Sequence, residues 1–231
     1  MEEMLKEAAN MAQVNLTFDQ IKQFIRYYNL LLEWNAKMNL TAIINFEDVV
    51  KKHFLDSLTA FKYISKGQTI IDIGSGAGFP GIPLKIYDDS LNITLLDSLN
   101  KRITFLNEVI DCLNLKKIKA VSSRAESAAN NVMFRQVYNV VCSRAVAKLN
   151  VLTEYCLPFA KVGGRFIAYK TNDDSEINDA RNAIKVLGGE IEKIDAFNLF
   201  DFSRKLIIIK KVKNTPLEFP RDAVKIKLKP L

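Results

Sequence analysis

The stretch TIIDIGSGAGFPG, residues 69–81, decides the fold, because a short, largely apolar run is followed at once by a loop rich in glycine. Residues 69–73 have the character of a strand that is buried on both faces of a sheet. Glycines directly after such a strand let the backbone turn sharply and approach a ligand closely. Apolar residues at 82–87 then predict a helix. Strand, glycine loop and helix in this order predict a ligand site at the carboxyl end of a strand.

The same alternation of strands and helices continues through most of the chain. Strands are predicted at 69–73, 92–96, 118–121, 138–142, 163–169, 189–195 and 204–212, and helices at 82–87, 100–114, 147–160 and 175–187. This pattern predicts an α/β fold with a mostly parallel seven-stranded sheet covered on both faces. No long helix separates the last two strands, so we expect them to form an antiparallel pair added to the sheet.

Residues 1–66 differ from the rest, because their apolar side chains recur at helical spacing. Helices are predicted at 2–11, 18–32 and 46–61, with Thr17 and Asn45 as N-caps whose side-chain oxygens accept free backbone N–H groups. We therefore expect an N-terminal helical extension over 1–66, a Rossmann-like domain over 67–213 and an extended tail over 214–231.

The composition is that of a globular protein, with 231 residues of which 48% are hydrophobic and 26% charged. Cys112, Cys142 and Cys156 match neither a zinc pattern nor a disulfide framework, so we expect reduced thiols in a cytoplasmic protein. No apolar run approaches the roughly 20 residues that a membrane span needs. Because coiled-coil heptads are also missing, a monomer is expected.

The charge is unevenly distributed along the chain. The formal net charge is +7, with 33 basic and 26 acidic residues. Residues 204–231 contain nine of the basic and two of the acidic residues, so the remainder is balanced. An excess of this kind favours a polyanionic partner. We interpret it as a phosphate-contacting edge that belongs to the last strand and the tail, not to the fold.

A cofactor containing a nucleoside is predicted by Asp97, which follows the second strand about twenty residues after the glycine loop. A carboxylate at this point can accept both hydroxyls of a ribose. The glycines fit two patterns: Gly76, Gly78 and Gly81 fit the G-x-G-x-x-G of dinucleotide enzymes, and Gly74, Gly76 and Gly78 fit the G-x-G-x-G loop of S-adenosylmethionine enzymes. The glycines alone do not separate the two.

Two features favour S-adenosylmethionine. Asp72 lies two residues before the first glycine, where its carboxylate could face a cationic methionine amino group. The dinucleotide alternative also places Pro80 and Gly81 after an already long loop, which separates the strand from the phosphate-binding helix. An NAD(P)-dependent oxidoreductase and a non-catalytic RNA-binding protein remain alternatives at this point.

Two further groups of polar residues follow later strands of the predicted sheet. Residues 123–126, SRAE, follow the third strand, where backbone contact with an adenine is common, and 143–147, SRAVA, follow the fourth. His53 is the single histidine of the chain, and we interpret it as a structural or surface imidazole. Phe79 is expected either in the core or against cofactor or base.

Seven runs resemble the RsmG/GidB family of ribosomal RNA methyltransferases. They are LLLEWNAKMNLTAI (30–43), HFLDSL (53–58), DIGSGAGFPGIPL (72–84), LLDSLNKRITFL (95–106), SRAE (123–126), SRAVAKL (143–149) and FPRDAVKIKLKPL (219–231). The resemblance covers nearly the whole chain, with the motifs in order. It implies a Rossmann-like class I S-adenosylmethionine-dependent methyltransferase that methylates nitrogen 7 of one guanine in 16S ribosomal RNA.

The resemblance also implies particular site residues. The implied cofactor contacts are Gly74 and Phe79 in the loop, Asp97 and Ser98 after the second strand, Ala125 and Glu126 after the third, and Arg144 after the fourth. With Asp72, Gly76 and Gly78 these form the predicted cofactor site, and Arg144 is also the predicted catalytic residue. No metal is expected. The implied partner is 16S ribosomal RNA, naked or within an assembling small subunit.

The chemistry of the acceptor is consistent with these residues. Nitrogen 7 of guanine has a lone pair and no proton, so no general base is needed before attack. Arginine and lysine commonly bind the oxygen 6 and nitrogen 7 edge of guanine. Nitrogen 7 must stay open during transfer, so a donor is expected at oxygen 6. The candidates are Arg144, Lys148, Lys101 and Arg102.

Overall fold

A single seven-stranded sheet organises the computed structural model, which describes residues 1–171 and 175–231. The strands are β1 (Thr69–Ile73), β2 (Asn92–Asp97), β3 (Ile118–Ser122), β4 (Tyr138–Arg144), β5 (Ala160–Lys170), β6 (Gly189–Leu199) and β7 (Phe202–Lys211). Their order is β3-β2-β1-β4-β5-β7-β6. β7 pairs antiparallel with β5 and β6, and all other pairs are parallel. The predicted sheet and its terminal antiparallel pair are confirmed.

Helices cover both faces of this sheet. They are α1 (Glu2–Met11), α2 (Phe18–Asn35), α3 (Phe46–Val49), α4 (Asp56–Leu58), α5 (Gly81–Tyr87), α6 (Asn100–Cys112), α7 (Ala125–Ala129), α8 (Leu149–Cys156), α9 (Ser175–Val186) and α10 (Ala223–Leu228). One apolar cluster joins a face of the sheet to α1–α6, and a second joins the other face to α7–α10. In the described part of the chain, no helix combines the length and the hydropathy of a membrane span.

The N-terminal extension forms the two predicted caps but not the third predicted helix. Thr17 accepts from the backbone N–H of Gln20, and Asn45 accepts from that of Glu47. The helix predicted over 46–61 is instead divided. A wide π-helical turn, Val50–Leu55, separates α3 from α4, and a 3₁₀ turn, Thr59–Tyr63, follows. Such wide turns are frequent at functional sites.

The helix predicted over 147–160 is shorter than expected. α8 ends at Cys156, a 3₁₀ turn spans Leu157–Phe159, and β5 begins at Ala160. Pro158 has no backbone N–H, and its ring collides with the carbonyl four residues earlier, so it stops the α-helix. The strand therefore starts three residues before the predicted 163.

The predicted extended tail is wrong, because the C-terminal segment is folded onto the molecule. α10 is capped by Asp222, which accepts from the backbone N–H of Lys225, and it buries Ile226 completely. Glu154 of α8 accepts from Nε and Nη2 of Arg221 at 2.9 and 2.6 Å. The partners of this segment lie far away in the chain, so its local sequence does not show where it packs.

The interpretation of the basic excess is also corrected. Lys205 and Lys211 are buried, at 2% and 0% exposure. Lys211 donates to the carbonyls of Leu157 and Leu187. Arg204 and Arg221 form ion pairs with Asp56 and Glu154. Part of the excess therefore belongs to the fold. The exposed remainder consists of Lys210, Lys213, Lys225, Lys227 and Lys229.

Candidate active site

A cavity of about 520 Å³ opens at the carboxyl ends of β1, β2, β3 and β4. This is the edge at which open α/β sheets bind ligands. Eight of the residues predicted for the cofactor line it: Gly74, Gly76, Phe79, Asp97, Ser98, Ala125, Glu126 and Arg144. The sheet brings these eight residues together because four parallel strands, β1 to β4, end at the same edge.

The glycine loop is fixed to the neighbouring strand. The carbonyl of Leu96, in β2, accepts from the N–H groups of Gly74 and Ser75 at 2.8 and 3.1 Å. Gly74 and Gly76 have φ of +72° and +57°, backbone angles that residues other than glycine rarely adopt. An ideal Cβ on Gly76 would have Gly74 O at 3.9 Å as its nearest neighbour. The loop therefore presents open backbone to the cavity.

Asp97 connects the loop to the cavity wall. Its Oδ2 accepts from the N–H of Gly76 at 2.9 Å and from Nη1 of Arg102 at 3.1 Å. Its Oδ1 accepts from the N–H of Leu99 at 3.0 Å. A carboxylate accepts about four hydrogen bonds, so one position remains. Arg102 is about one-third exposed, and its movement would open a second.

Asp72 and Gly78 do not line the cavity. Oδ2 of Asp72 accepts from the N–H of Gly81 at 3.0 Å, at the start of α5. Its Oδ1 is buried and accepts from no residue in 1–171 or 175–231. Burial raises the pKa of Asp72 to about 7. A Cβ on Gly78 would collide with Ile82. Direct cofactor contact by Asp72 and Gly78 stays a prediction.

Arg144 lies on the cavity wall with most of its guanidinium surrounded by residues of the N-terminal extension. Nη1 donates to the carbonyl of Lys52 at 3.0 Å and to Oδ2 of Asp56 at 2.9 Å. Nη2 lies 3.1 Å from Nδ1 of His53. The guanidinium carbon lies 5.0 Å from the centre of the Phe79 ring, a distance typical of a cation–π contact.

His53 is part of this site and is more than the structural or surface imidazole interpreted from the sequence. Its ring stacks on Phe79, with 4.5 Å between centroids, and it lines the cavity. Nδ1 of His53 lies 3.1 Å from Nη2 of Arg144 and 3.1 Å from the carbonyl oxygen of Lys52, and Nε2 lies 2.9 Å from Oγ1 of Thr41. Burial, followed by the charge of Arg144, lowers the pKa of His53 to about 3.

Five further lining residues were missed by the motif analysis: Leu40, Thr41, Tyr155, Ala223 and Lys227. Leu40 and Thr41 extend the wall formed by His53. Ala223 and Lys227 belong to α10, and the sequence places them more than 70 residues after β4. Their positions depend on how α2 and α10 pack. Four of the five residues lie within the runs LLLEWNAKMNLTAI and FPRDAVKIKLKPL. The resemblance of these two runs to the family is the sequence signal that points to them.

The four cationic candidates for guanine recognition do not all reach the cavity. Arg144 and Arg102 line it, whereas Lys101 and Lys148 lie outside its lining. Arg102 is hydrogen-bonded to Asp97, so it belongs to the part of the cavity predicted for the ribose. Arg144 is therefore the candidate with the best placement for the acceptor base.

The fold resembles those of two solved structures. TYW2 of M. jannaschii, in complex with AdoMet, is similar with a TM-score of 0.58 and 12% identity, covering 74% of this chain and 80% of that chain. A SAM-dependent methyltransferase from Aquifex aeolicus has a TM-score of 0.53 at 14% identity, covering 70% and 92%. At these identities the likeness shows the fold, which is the Rossmann-like methyltransferase fold expected from the sequence.

Proteins related in amino-acid sequence are much more similar to this chain than these two structures are. "Ribosomal RNA small subunit methyltransferase G" of Clostridium perfringens (strain 13 / Type A) is 45% identical over 234 residues, covering 99% of this chain and 98% of the relative. The protein of that name from Acetivibrio thermocellus is 48% identical over 231 residues, covering 99% and 96%. The family model GidB, described as rRNA small subunit methyltransferase G, matches residues 20–207. The chain therefore belongs to the GidB family of ribosomal RNA small subunit methyltransferases.

Proposed function

We propose that the protein transfers the methyl group of S-adenosylmethionine to nitrogen 7 of one guanine in 16S ribosomal RNA. The observation that carries the proposal is the convergence of the glycine loop, Asp97, Glu126 and Arg144 on one cavity in a chain of this family. Family membership favours the S-adenosylmethionine pattern of glycines over the NAD(P) alternative. It also favours an enzyme over a non-catalytic RNA-binding protein.

The residues of the cavity fit this cofactor. Asp97 offers a charged acceptor for ribose hydroxyls at the end of β2, and Ser98, Ala125 and Glu126 lie where an adenine would follow. The open backbone at Gly76 would face the methionine part. When bound, the cofactor supplies an electrophilic methyl group on a sulfonium. The protein's task is then to align acceptor and methyl group at about 3–3.5 Å.

The surroundings of Arg144 suit an acceptor that needs no general base. His53 has a pKa of about 3, so it is a poor proton acceptor. Nitrogen 7 of guanine has no proton to lose. Arg144 uses three of its five N–H groups within the protein. The remaining donors are available for oxygen 6 of the guanine.

α10 extends the cavity towards exposed positive charge. Lys227 lines the cavity, and Lys225 and Lys229 lie one turn away or less on exposed parts of the same segment. Contacts with phosphates would hold the RNA while the base leaves its stack to reach the cavity. The substrate is 16S ribosomal RNA or an assembling small subunit, and we expect the protein to act as a monomer in the cytoplasm, where that RNA is found.

Transfer of a labelled methyl group tests the proposal directly. The protein is incubated with labelled S-adenosylmethionine and either small-subunit RNA or small-subunit particles that lack the modification. The RNA is then cleaved chemically at guanines methylated on nitrogen 7. We expect label at one guanine, and comparing the two substrates shows which one the protein prefers. Label on another atom, or no label on either substrate, would contradict the proposal.

Replacement of Arg144 tests its predicted catalytic role. We expect Arg144→Ala to lower the single-turnover rate by about 10²-fold, the usual effect of removing one transition-state donor, and to leave the circular dichroism spectrum unchanged. Arg165→Ala is the matched control, because Arg165 of β5 forms an ion pair with Glu192 of β6 and neither residue lines the cavity. A normal rate in Arg144→Ala would remove this residue from the reaction.

A further inference from the structure

Asp56 is a buried carboxylate that joins two arginines from distant parts of the chain. Its side chain is 7% exposed. Oδ2 accepts from Nη1 of Arg144 at 2.9 Å, and Oδ1 accepts from Nε of Arg204 at 2.8 Å. Arg144 ends β4 and Arg204 lies in β7, whereas Asp56 starts α4. Each carboxylate oxygen therefore binds a different strand of the sheet to the N-terminal extension.

All hydrogen bonds of the Arg144 side chain within the described residues are made to residues 52–56. These partners are the carbonyl of Lys52, Nδ1 of His53 and Oδ2 of Asp56. The wide turn over Val50–Leu55 places the first two beside the third. No residue in 1–171 or 175–231 accepts from Nε–H of Arg144. Arg144 is also one of the residues that line the cavity.

The other oxygen of Asp56 is held by the hairpin formed by β6 and β7. Arg204 stacks on the ring of Phe202, with 5.4 Å between its guanidinium carbon and the centroid. Nζ of Lys52 lies 4.9 Å from the same centroid. Asp56 and Phe202 thus connect the hairpin to the turn that surrounds Arg144. A charged acceptor held from two sides has little freedom to rotate, which restricts Arg144 in turn.

We propose that Asp56, with Arg204 as its second partner, is a positioning residue that orients Arg144 towards the acceptor guanine. This inference rests on the proposed function. Arg144 lies at 14% side-chain exposure against Phe79, so only a small part of its surface can meet a substrate. Orientation of a single donor is worth a large part of a transfer rate, because misplacement by about 1 Å can cost about 10²-fold.

Asp56→Asn is the direct test, because the amide keeps the size of the side chain and removes its charge and one acceptor. We expect kcat for guanine methylation to fall at least tenfold. The KM for S-adenosylmethionine should stay within twofold, since Asp56 does not line the cavity. Arg204→Gln, which leaves Arg144 paired with Asp56, should lower kcat by a smaller factor. It also keeps the test open if Asp56→Asn does not fold.

Asp195→Asn provides the matched control. Asp195 also joins the N-terminal extension to the hairpin, because Oδ2 accepts from Nζ of Lys62 at 2.6 Å and from the hydroxyl of Tyr63 at 2.9 Å. It has no hydrogen bond to Arg144. We expect its kcat within twofold of wild type. An equal loss of kcat in Asp195→Asn and Asp56→Asn would mean that general attachment of the extension matters, and would overturn the inference.

A double-mutant cycle separates positioning from a purely structural role. If Asp56 acts through Arg144, Asp56→Asn should have no further effect on kcat in an Arg144→Ala background. Multiplicative losses would overturn the inference, as would a wild-type kcat in Asp56→Asn. Wild-type protein is measured in the same assay. If the wild type forms no 7-methylguanine, both the proposed function and this inference fail. If the wild type is active and the variants do not behave as expected, only this inference fails.

Discussion

At the scale of single residues, Asp97 has two roles in the site. It accepts from Gly76 and Leu99 and so ties the glycine loop to the end of β2. It also presents a negative charge to the cavity beside Arg102. A neutral amide could keep part of the first role, because it retains one acceptor oxygen. The second role requires the charge, so the two can be separated by a conservative substitution.

We predict that Asp97→Asn weakens binding of S-adenosylmethionine by roughly 10- to 100-fold. A hydrogen bond to a charged group contributes about 1.5–3 kcal/mol, and the ribose hydroxyls would lose a charged acceptor. Calorimetric titration with S-adenosylhomocysteine measures the change. Asp111→Asn is the control, since Asp111 is exposed on α6 outside the cavity. Affinity equal to that of the wild type in Asp97→Asn would show that Asp97 does not bind the ribose.

At the scale of elements, α10 explains how a short C-terminal segment contributes to the site. Ile226 anchors it in the apolar cluster under α8, and the ion pair of Arg221 with Glu154 fixes its approach. Arg135 adds hydrogen bonds to the carbonyls of Thr215, Pro216 and Phe219. The lysines of the segment are therefore held beside the cavity. A tail that extended into solution would leave them dispersed.

We predict that Lys225→Gln combined with Lys229→Gln lowers RNA affinity and flattens its dependence on salt. Each lost phosphate contact should reduce the slope of log K against log salt by about 0.7–0.9. Lys227 is left in place because it lines the cavity. RNA binding is measured from about 50 to about 200 mM salt, the range over which phosphate contacts change the affinity strongly.

The matched control for this prediction is Lys66→Gln combined with Lys161→Gln. Both lysines are exposed, and they lie at the amino ends of β1 and β5, on the edge of the sheet away from the cavity. The control should keep the salt dependence of the wild type. An unchanged slope in the Lys225 and Lys229 variant would show that this segment does not contact phosphate.

At the scale of the whole molecule, the N-terminal extension shares one hydrophobic core with the sheet. Phe24 and Tyr27 of α2 and Phe54 of the wide turn are fully buried in the same cluster as Ile70 of β1. The hydroxyl of Tyr27 donates to the carbonyl of Ala77 in the glycine loop. Folding of the extension and formation of the cavity are therefore coupled, and a change that destabilises one affects the other.

We predict that the stability of the wild type depends on His53 below pH 6.5. The fold lowers the pKa of His53 from 6.5 to about 3, so between these values the unfolded chain binds a proton that the folded chain does not. This contribution to stability is therefore lost as the pH falls. From pH 7.5 to pH 5 the loss is about 2 kcal/mol, at about 1.4 kcal/mol per pH unit below 6.5.

Urea denaturation of wild type and His53→Gln at both pH values measures this difference. The free energy of unfolding should fall by about 2 kcal/mol more in the wild type than in His53→Gln. The pKa of Asp72, raised to about 7 by burial, acts in the opposite sense, because the folded carboxyl keeps its proton. That contribution is common to both proteins and cancels in the comparison. Equal pH dependence in the two would contradict the low pKa of His53.

Much of the sheet was predictable because its signals are local. The apolar runs of β1, β2 and β4 and the glycines after β1 lie within short windows, and their carboxyl ends meet at one edge by the geometry of parallel strands. Asp97 and Arg144 were found for this reason, since they end β2 and β4, and Glu126 was found because it lies four residues after β3. The resemblance to the family added the acceptor and its site residues.

Other features depend on contacts between residues far apart in the chain, and only the folded molecule decides them. The division of the third helix, the folding of α10 and the role of His53 arise where α2, β7 and α8 supply partners that a local window does not contain. Hydrophobic periodicity reports which face of an element is buried, but not what it is buried against. The mostly parallel sheet, its antiparallel pair and the residues predicted at the carboxyl ends of its strands thus follow from the amino-acid pattern. The placement of Arg144 by Asp56, Arg204 and His53 follows from tertiary packing.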